Sequence, residues 1–260
     1  MHTPRWAAPA RVRALFTTRH GGISTGQWGD ANGQSGLNLG ANCGDRPERV
    51  ALNRQRLADH AGVPIRWLNQ VHGTRVLDVE ADPGCDDPNG GTRSPPAESA
   101  DAQVTTMTGV ALAVLVADCL PVLLADRAGS IIGVAHAGWR GLSAGVLEET
   151  IAVMRSRRPG AELIAWLGPC IGAGAFEVGQ DVVDAFVAQE AQAAAMFRPG
   201  IRRGKWWADL AGLATRRLNR LGVPSVASAG ACTVTDRASY WSYRRDGACG
   251  RMAGLVWLDA

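Results

Sequence analysis

The chain has 260 residues, of which 46% are hydrophobic and 20% are charged, and its formal net charge is +3 at pH 7. This composition excludes a disordered or fibrous chain, and the small charge with scattered basic residues argues against a nucleic-acid partner. No apolar run reaches the roughly 18 residues that span a bilayer, and the N-terminal segment lacks the apolar core of a signal peptide, so the sequence predicts a cytoplasmic protein with no membrane partner.

The hydrophobic pattern predicts strands and helices along most of the chain. The predicted strands comprise residues 14–19, 67–73, 74–80, 101–107, 111–119, 130–139, 163–170, 225–233 and 255–258. The predicted helices comprise residues 47–61, 141–157, 180–196 and 207–221. Asp45 is the expected N-cap of the first helix, and Gly62 and Pro64 are expected to end it. The segments 67–73 and 74–80 form either two short strands or one strand bent at Gly73.

Strands and helices mix without a strict βαβ rhythm, which favours an α+β fold with mixed β-sheets flanked by helices. We expect a single catalytic domain over residues 1–260. Residues 82–98 are rich in proline, glycine and aspartate and are predicted to form a mobile surface loop. The strands on either side of this loop are expected to belong to the same sheet system.

Two histidines and a cysteine occupy the ends of predicted strands. His72 follows one short strand, Cys119 ends an apolar run, and His136 lies near the end of the strand that we expect next. Two imidazoles and a thiolate suit zinc, and a site with three protein ligands leaves a fourth position for water or substrate. The sequence therefore suggests a metal centre at these strand ends.

The spacing alone leaves other interpretations open. The intervals of 47 and 17 residues match no compact metal motif. The histidines could instead make core hydrogen bonds around an inert buried thiol. Alternatively, Cys119 and His136 could form a metal-free nucleophile pair in which the imidazole takes the proton from the thiol.

Other polar residues adjoin this constellation. Asp118 and Gln70 precede two of the candidate ligands and could orient them. Arg140 follows Trp139 at a predicted helix start, where an anion could bind. Arg244 and its neighbour in SYRRD form a second candidate clamp for phosphate or carboxylate. Each of these could equally be a cap or a solvated surface group.

Ordered motifs along nearly the whole chain identify a resemblance. FTTRHGG, GLNLG, NQVHG, SADAQVT, VADCLPV, HAGWRG, LGPCIG, FEVG and SYRRDGACGR occur in the order seen in the YfiH family. This family is also called laccase-domain or multicopper polyphenol oxidase-like, and it includes the peptidoglycan editing factor. The resemblance implies α/β/β/α layers similar to a deamidating toxin fold.

The resemblance also implies a catalytic metal centre held by His72, Cys119 and His136, with zinc as the expected metal and copper as the alternative. It implies phosphorolysis of adenosine, inosine, guanosine and methylthioadenosine, and deamination of adenosine, so that purine nucleosides and phosphate are the expected partners. The motifs supply the candidate substrate-binding residues Arg19, Asn38, Gln70, Asp118, Arg140 and Arg244. We expect Arg140 or Arg19 to neutralise the phosphate.

The sequence departs from the family pattern in two places. The segment AGAFEVG lacks the second cysteine and the tyrosine often found there, and Trp241 stands where phenylalanine is usual, which could change the shape of the pocket. The alternatives are an editing hydrolase of cell-wall precursors, a copper-dependent polyphenol oxidase and a noncatalytic partner protein. Five histidines in the whole chain argue against a full multicopper array.

Overall fold

The computed structural model describes residues 1–79 and 98–259. The strands are β1 (Val12–Phe16), β2 (His20–Ser24), β3 (Ile65–Arg66), β4 (Val76–Asp78), β5 (Ala102–Thr105), β6 (Ala111–Val116), β7 (Leu120–Asp126), β8 (Ile132–Ala137), β9 (Leu163–Leu167), β10 (Glu177–Gly179), β11 (Phe197–Pro199), β12 (Lys205–Ala208), β13 (Ser225–Ser228) and β14 (Met252–Leu258). The helices are α1 (Pro47–Ala61), α2 (Trp139–Ala144), α3 (Val146–Arg157), α4 (Gln180–Val187), α5 (Leu210–Arg220) and α6 (Tyr243–Asp246). In this part of the chain, every helix is too short or too polar to cross a bilayer.

The strands form three sheets that mix parallel and antiparallel pairs. A six-stranded sheet has the order β13-β9-β7-β8-β5-β4, a four-stranded sheet has the order β1-β14-β6-β3, and a small sheet has the order β10-β12-β11. The pairs β13–β9, β4–β5 and β3–β6 are parallel, and the other pairs are antiparallel. The predicted α+β fold with mixed sheets is therefore confirmed.

The two larger sheets pack face to face and carry helices on their outer faces. One buried cluster joins side chains of β6 and β14 to side chains of β7, β8 and β9, which fills the space between the sheets. Leu57 of α1 packs on the outer face of the four-stranded sheet. Helices α3, α4 and α5 cover the outer face of the six-stranded sheet. Because each sheet buries both faces, its central strands consist almost entirely of apolar residues.

Helix α1 matches its predicted bounds, but its N-cap differs. The helix begins at Pro47 and ends before Gly62, which adopts a left-handed conformation with φ 72°. Arg46 is the N-cap and makes no side-chain capping bond. The expectation for Asp45 was wrong because its buried carboxylate accepts hydrogen bonds from Ser24 and Asn38 instead.

Two other predicted helices are interrupted. The segment 141–157 is divided between α2 and α3 by Gly145, whose φ of 105° ends one helix and starts the next. The segment 180–196 forms α4 and then a short 3-10 helix, Ala191–Met196. A periodic apolar pattern does not reveal such a break, because both pieces place their apolar side chains on the same sheet.

The connection through Cys119 also differs from the prediction. We expected the apolar runs 111–119 and 130–139 to be consecutive strands, but β7 lies between them. Strand β6 belongs to the four-stranded sheet and β7 to the six-stranded sheet. The chain therefore crosses from one sheet to the other at residues 117–119, which places Cys119 where the two sheets meet.

Most of the predicted loop 82–98 lies outside the described residues. The strands on either side are described, and β4 pairs with β5 in parallel within the six-stranded sheet. The expectation that both strands belong to one sheet system is confirmed.

Candidate metal centre

His72, Cys119 and His136 converge on one point. Their candidate ligand atoms, an imidazole nitrogen from each histidine and the Cys119 Sγ, all lie within 4.8 Å of one another. Cys119 Sγ lies 3.8 Å from His72 Nε2, and the two imidazole rings meet edge to face with centroids 4.8 Å apart. His136 is buried, Cys119 is partly buried and His72 is exposed. This donor set fits a zinc or copper ion with one side open to solvent.

Strand β8 fixes His136 in the six-stranded sheet. Its register places His136 opposite Pro121 of β7, next to the start of that strand. His136 Nδ1 lies 2.8 Å from the Asp101 carboxylate, and its backbone N–H donates to the Asp101 carbonyl. Because Nδ1 is engaged by the carboxylate, Nε2 is the nitrogen available to a metal ion.

Asp101 holds the second histidine as well. Its carboxylate accepts hydrogen bonds from the backbone N–H groups of Val71, His72 and Gly73, at 3.2, 2.9 and 2.7 Å. His72 has a φ of 61°, a left-handed conformation that is uncommon outside glycine. The three converging N–H groups stabilise this turn. A single buried carboxylate therefore orients both imidazoles.

Cys119 is positioned by a second strained residue. Asp118 has a φ of 95°, and its carboxylate accepts hydrogen bonds from the hydroxyls of Thr233 and Ser242 and from the backbone N–H of Arg244. These contacts tie the turn before Cys119 to the C-terminal part of the chain. Backbone strain held by surrounding hydrogen bonds is typical of functional sites.

Gly138 allows the ligands to approach the start of α2. A Cβ at this position would lie 3.0 Å from both Cys119 Sγ and His72 Cδ2. Any larger residue would displace one of the two side chains. The glycine of the HAGW motif is therefore required by the close packing of the site.

The electrostatics of the metal-free group favour a thiolate beside an imidazolium. Burial opposes ionisation of Cys119, but the charge and hydrogen bond of His136, together with a hydrogen bond to His72, lower the pKa of the thiol. Burial likewise disfavours a charged His136, but Cys119 and the Asp101 carboxylate raise its pKa. A lowered thiol pKa favours binding of a soft or borderline cation, because the thiolate is the ligand.

The group lies in a cavity of about 630 Å³. One wall is aromatic and apolar, and it includes Trp139, Phe176 and Leu210. Four arginines also line the cavity, namely Arg54, Arg140, Arg244 and Arg251. Asp118 is the acidic residue in the described lining, and its carboxylate is already engaged by the three donors named above.

Four of the six candidate substrate-binding residues line this cavity. Gln70 exchanges hydrogen bonds with the backbone of Leu115, so its amide holds the His72 segment against the edge of β6. Asp118 is engaged as described. Arg140 is exposed and lies 4.6 Å from the centre of the Trp139 ring, and Arg244 is exposed and donates to the carbonyl of Glu177. The two arginines can reach a bound ligand.

The structure does not bring Arg19 and Asn38 to the cavity. The Arg19 guanidinium donates to the carbonyls of Gly29, Asp30 and Arg237 and lies 5.5 Å from the buried Trp241 ring. The Asn38 side chain is buried and bonds to Asp45 and to the backbone of Gly40 and Arg251.

These contacts correct three expectations. Arg19 cannot neutralise a phosphate in the cavity, because its guanidinium is committed to backbone carbonyls elsewhere. Asn38 acts on the cavity only through the backbone that it holds. Trp241 is buried and donates its indole N–H to Gly29 rather than lining the pocket, so it does not set the pocket shape directly.

Sequence reasoning missed three residues that bear on the site. Asp101 lies in the motif SADAQVT directly before a buried strand, which could have suggested a buried carboxylate serving a nearby imidazole. Arg54 lies on the buried side of α1, one helical position after the core residue Asn53. Arg251 directly precedes β14 and is the last residue of the motif SYRRDGACGR, which could have suggested it.

Comparisons with known proteins give the family of the chain. Residues 13–259 match the family described as multi-copper polyphenol oxidoreductase laccase. The purine nucleoside phosphorylase PA4543 of Pseudomonas aeruginosa is 47% identical over 257 residues, covering 99% of this chain and 98% of that protein. The purine nucleoside phosphorylase YfiH of Escherichia coli is 43% identical over 258 residues, covering 98% and 97% respectively.

Solved structures share the whole fold. The Neisseria meningitidis protein NMB0706 is 48% identical with a TM-score of 0.88, and the match covers 100% of this chain and 99% of that one. YlmD from Geobacillus stearothermophilus is 28% identical with a TM-score of 0.88, covering 100% and 98%. The resemblance seen in the ordered motifs is confirmed, and the chain belongs to the laccase-like family that includes the YfiH-type proteins.

Proposed function

We propose that the protein is a metal-dependent purine nucleoside phosphorylase. The observation that carries the proposal is one cavity that combines the His72, Cys119 and His136 group with an aromatic wall and four arginines. The aromatic wall suits a purine base and the arginines suit a phosphate. The names of the Pseudomonas and Escherichia relatives support the same activity.

The proposed reaction balances without any further reactant. An oxygen of hydrogen phosphate forms a bond to C1′ of the nucleoside while the bond from C1′ to the purine nitrogen breaks. The electron pair of that bond stays with the purine, which accepts the proton released by the phosphate. The products are the free base and ribose 1-phosphate, or 5-methylthioribose 1-phosphate when the substrate is methylthioadenosine. Adenosine, inosine, guanosine and methylthioadenosine are the proposed substrates.

The residues of this chain contribute position and charge. Trp139 and Phe176 provide faces on which a purine can stack, and the arginines oppose the negative charge of the phosphate in a partly enclosed site. Asp101 fixes the tautomer and direction of His136 and the turn that carries His72. A bound zinc ion would supply Lewis-acid activation of a substrate oxygen or of water.

Adenosine deamination is the second proposed activity. The observation that favours it is the His/Cys/His group with an open side, because zinc deaminases of nucleobases also bind their metal through histidine and cysteine. Deamination replaces the amino group at C6 with oxygen from water and releases ammonia. Hydrolytic editing of a cell-wall precursor is an alternative use of the same open group.

The donor set does not fit a multicopper oxidase. All five histidines lie in the described part of the chain, and two of them, His72 and His136, belong to the metal-binding group. His2 contacts the Tyr240 hydroxyl and His20 contacts the carbonyl of Ala238, so neither imidazole belongs to the metal-binding group. A multicopper centre requires several clusters of histidine ligands, so we propose a single ion, with zinc preferred over copper.

A comparison of two cysteine variants tests the proposal. Purified wild type, Cys119→Ala and Cys232→Ala are incubated with adenosine and phosphate, and adenine, inosine and hypoxanthine are quantified along with bound metal. Cys232 is partly buried outside the cavity lining and serves as the matched control. We expect Cys119→Ala to lose its metal and about 10²- to 10³-fold or more of its turnover, and Cys232→Ala to keep both. Full turnover in Cys119→Ala would contradict the proposal.

A further inference from the structure

Two of the four cavity arginines adjoin the same short segment of chain. Arg54 of α1 donates to the carbonyl of Leu39, and Arg251, directly before β14, packs its side chain against Gly40. Both arginines and the segment Gly40–Cys43 line the cavity. We call this set the arginine corner. The other two cavity arginines lie on the aromatic wall. Arg140 lies over the ring of Trp139 in α2, and Arg244 lies over the ring of Phe176, which precedes β10.

Arg54 is held firmly but has no acidic partner among the described residues. Its Nε donates to the carbonyl of Leu39 at 3.0 Å, and its guanidinium lies 4.4 Å from the centre of the Trp67 ring. These contacts fix the plane of the guanidinium, and its two terminal nitrogens have no protein acceptor within residues 1–79 and 98–259. Burial lowers the pKa of Arg54 to about 10, so the group remains a cation at neutral pH but lacks full solvation.

Arg251 is fixed in a similar way. Its Nη1 donates to the carbonyls of Cys249 and Gly250 at 2.7 and 3.1 Å. Its aliphatic part crosses Gly40, where an added Cβ would lie 2.7 Å from Arg251 Cγ. Within the described chain, no carboxylate pairs with this guanidinium either. The backbone N–H of Arg251 donates to Asn38 Oδ1, which anchors the residue from behind.

Other arginines that lose solvent in the described fold are satisfied in one of two ways: Arg19 donates through both terminal nitrogens to backbone carbonyls, and others pair with carboxylates. Arg217 pairs with Glu148 at 2.7 Å, and Arg245 pairs with Asp246 at 2.6 Å. A partly buried cation without a counterion is costly, because water solvates it poorly and no anion compensates. Two such cations, both held against one short segment and both lining one cavity, indicate that the anion is brought by a ligand.

We propose that the arginine corner binds the phosphate co-substrate. This inference rests on the proposed phosphorylase function and assigns the phosphate to Arg54 and Arg251 rather than to Arg140 or Arg244. The nucleoside then lies between the corner and the aromatic wall, with its C1′ facing the phosphate. The phosphate oxygen attacks C1′ as described above, and the purine leaves toward Trp139 and Phe176.

Steady-state kinetics and phosphate titration test the assignment. The variants are Arg54→Gln, Arg251→Gln and Arg54→Lys, and the control is Arg56→Gln, which changes an exposed arginine of the same helix outside the cavity lining. We expect the KM for phosphate to rise about 10- to 100-fold in both Gln variants, because each loses a charge-assisted hydrogen bond. The KM for nucleoside should change less than about threefold. Arg54→Lys should retain part of the phosphate affinity.

Calorimetric titration of the metal-loaded proteins with inorganic phosphate separates this inference from the proposed function. Phosphate binding that is lost in both Gln variants but kept in Arg56→Gln supports the corner, even if no nucleoside is turned over. Unchanged phosphate affinity in folded Arg54→Gln and Arg251→Gln would overturn the corner, even if phosphorolysis continues. An equal rise in both KM values would also overturn it, because it would indicate a general loss of the cavity. Thermal unfolding of each variant verifies that it is folded.

Discussion

Two buried carboxylates in this fold have similar surroundings and different consequences. Asp101 and Asp45 each accept several hydrogen bonds in a site closed to solvent. The bonds to Asp101 come from the turn of His72 and from the imidazole of His136, and both lead into the cavity. The bonds to Asp45 come from Ser24, Asn38 and the backbone N–H of Arg46, and none of these three residues is in the cavity lining.

The Asp45 network reaches the cavity wall only at one remove, because Asn38 also bonds to Gly40, Cys43 and the backbone N–H of Arg251. The Asp45 carboxylate accepts from the Ser24 hydroxyl at 2.6 Å and from Asn38 at 2.9 Å, and Asn53 donates to Ser24 and to the carbonyl of Asn38. These contacts fix the glycine-rich segment over α1. Equal burial and saturation therefore do not distinguish a structural carboxylate from one that serves chemistry. The distinction lies in whether the carboxylate itself bonds to a candidate metal ligand, as Asp101 does to His136.

Replacement of Asp101 should produce the larger functional effect. In Asp101→Asn, one end of the side chain becomes a donor facing either backbone N–H groups or the N–H of His136. We expect metal affinity to fall about 10- to 100-fold, as for other partners of metal-binding histidines. Competition with a chelator measures the affinity. An unchanged metal dissociation constant in a folded Asp101→Asn protein would refute the role given to this carboxylate.

Replacement of Asp45 should affect stability instead. Asp45→Asn weakens the bonds from Ser24 and Asn38, and we expect the free energy of unfolding to fall by about 1–3 kcal/mol. The metal content of the folded protein should stay at the wild-type value. Urea unfolding and metal analysis on the same preparation measure the two quantities. Metal loss equal to that of Asp101→Asn would remove the distinction between the networks.

Arg19, like Asp45, should affect stability and not substrate binding. Arg19→Gln removes hydrogen bonds to the carbonyls of Gly29, Asp30 and Arg237, so we expect a stability loss of about 1–3 kcal/mol. The KM for phosphate and for nucleoside should remain within about twofold of wild type. Steady-state assays at a temperature where the variant is folded measure this. A rise in the KM for phosphate alone would place Arg19 in the substrate site after all.

Alkylation of the Cys119 and Cys249 thiols should depend on pH in different ways. In the metal-free protein, burial opposes ionisation of Cys119, but His136 and His72 outweigh it and lower the pKa. Its thiolate therefore persists as the pH falls below the ordinary range of thiols, so alkylation of Cys119 should continue there. Burial raises the pKa of Cys249 to about 11, so this thiol should remain unmodified at neutral pH.

Mass spectrometry of peptides after brief iodoacetamide treatment across a pH series reads out both sites. Prior loading with zinc should protect Cys119, because the ion and the alkylating reagent compete for the same sulfur. Labelling of Cys119 that appears only at alkaline pH would contradict the charge arrangement of the site.

The sequence predicts the elements that local chemistry determines. Helix α1 follows from Pro47 at its first turn and Gly62 after its last residue, and the apolar strands follow from their composition. The break at Gly145 could not be predicted, since α2 and α3 keep one apolar periodicity across it. Strand β7 was overlooked because the apolar run from β6 into β7 is broken only by Asp118, and one polar residue does not show a change of sheet.

The three candidate ligands could be named from motifs, but their supporting residues could not. Asp101 lies 29 and 35 residues from His72 and His136 in sequence. The pairing of β5 with β8 brings it to His136, and the pairing of β4 with β5 brings it near the turn of His72. Arg19 and Asn38 lie in motifs of the family, and a motif does not show in which direction a side chain points. Arg54 and Arg251 are brought together from distant segments by the four-stranded sheet and α1.

The central claim is that one metal ion in the His72, Cys119 and His136 group is required for nucleoside phosphorolysis. The most direct measurement is the release of adenine from adenosine and phosphate by protein that has been stripped with a chelator and then reloaded with zinc or with copper. We predict about one ion per active chain, loss of adenine release on stripping, and recovery with zinc. Undiminished adenine release by protein that retains no stoichiometric metal would contradict the account.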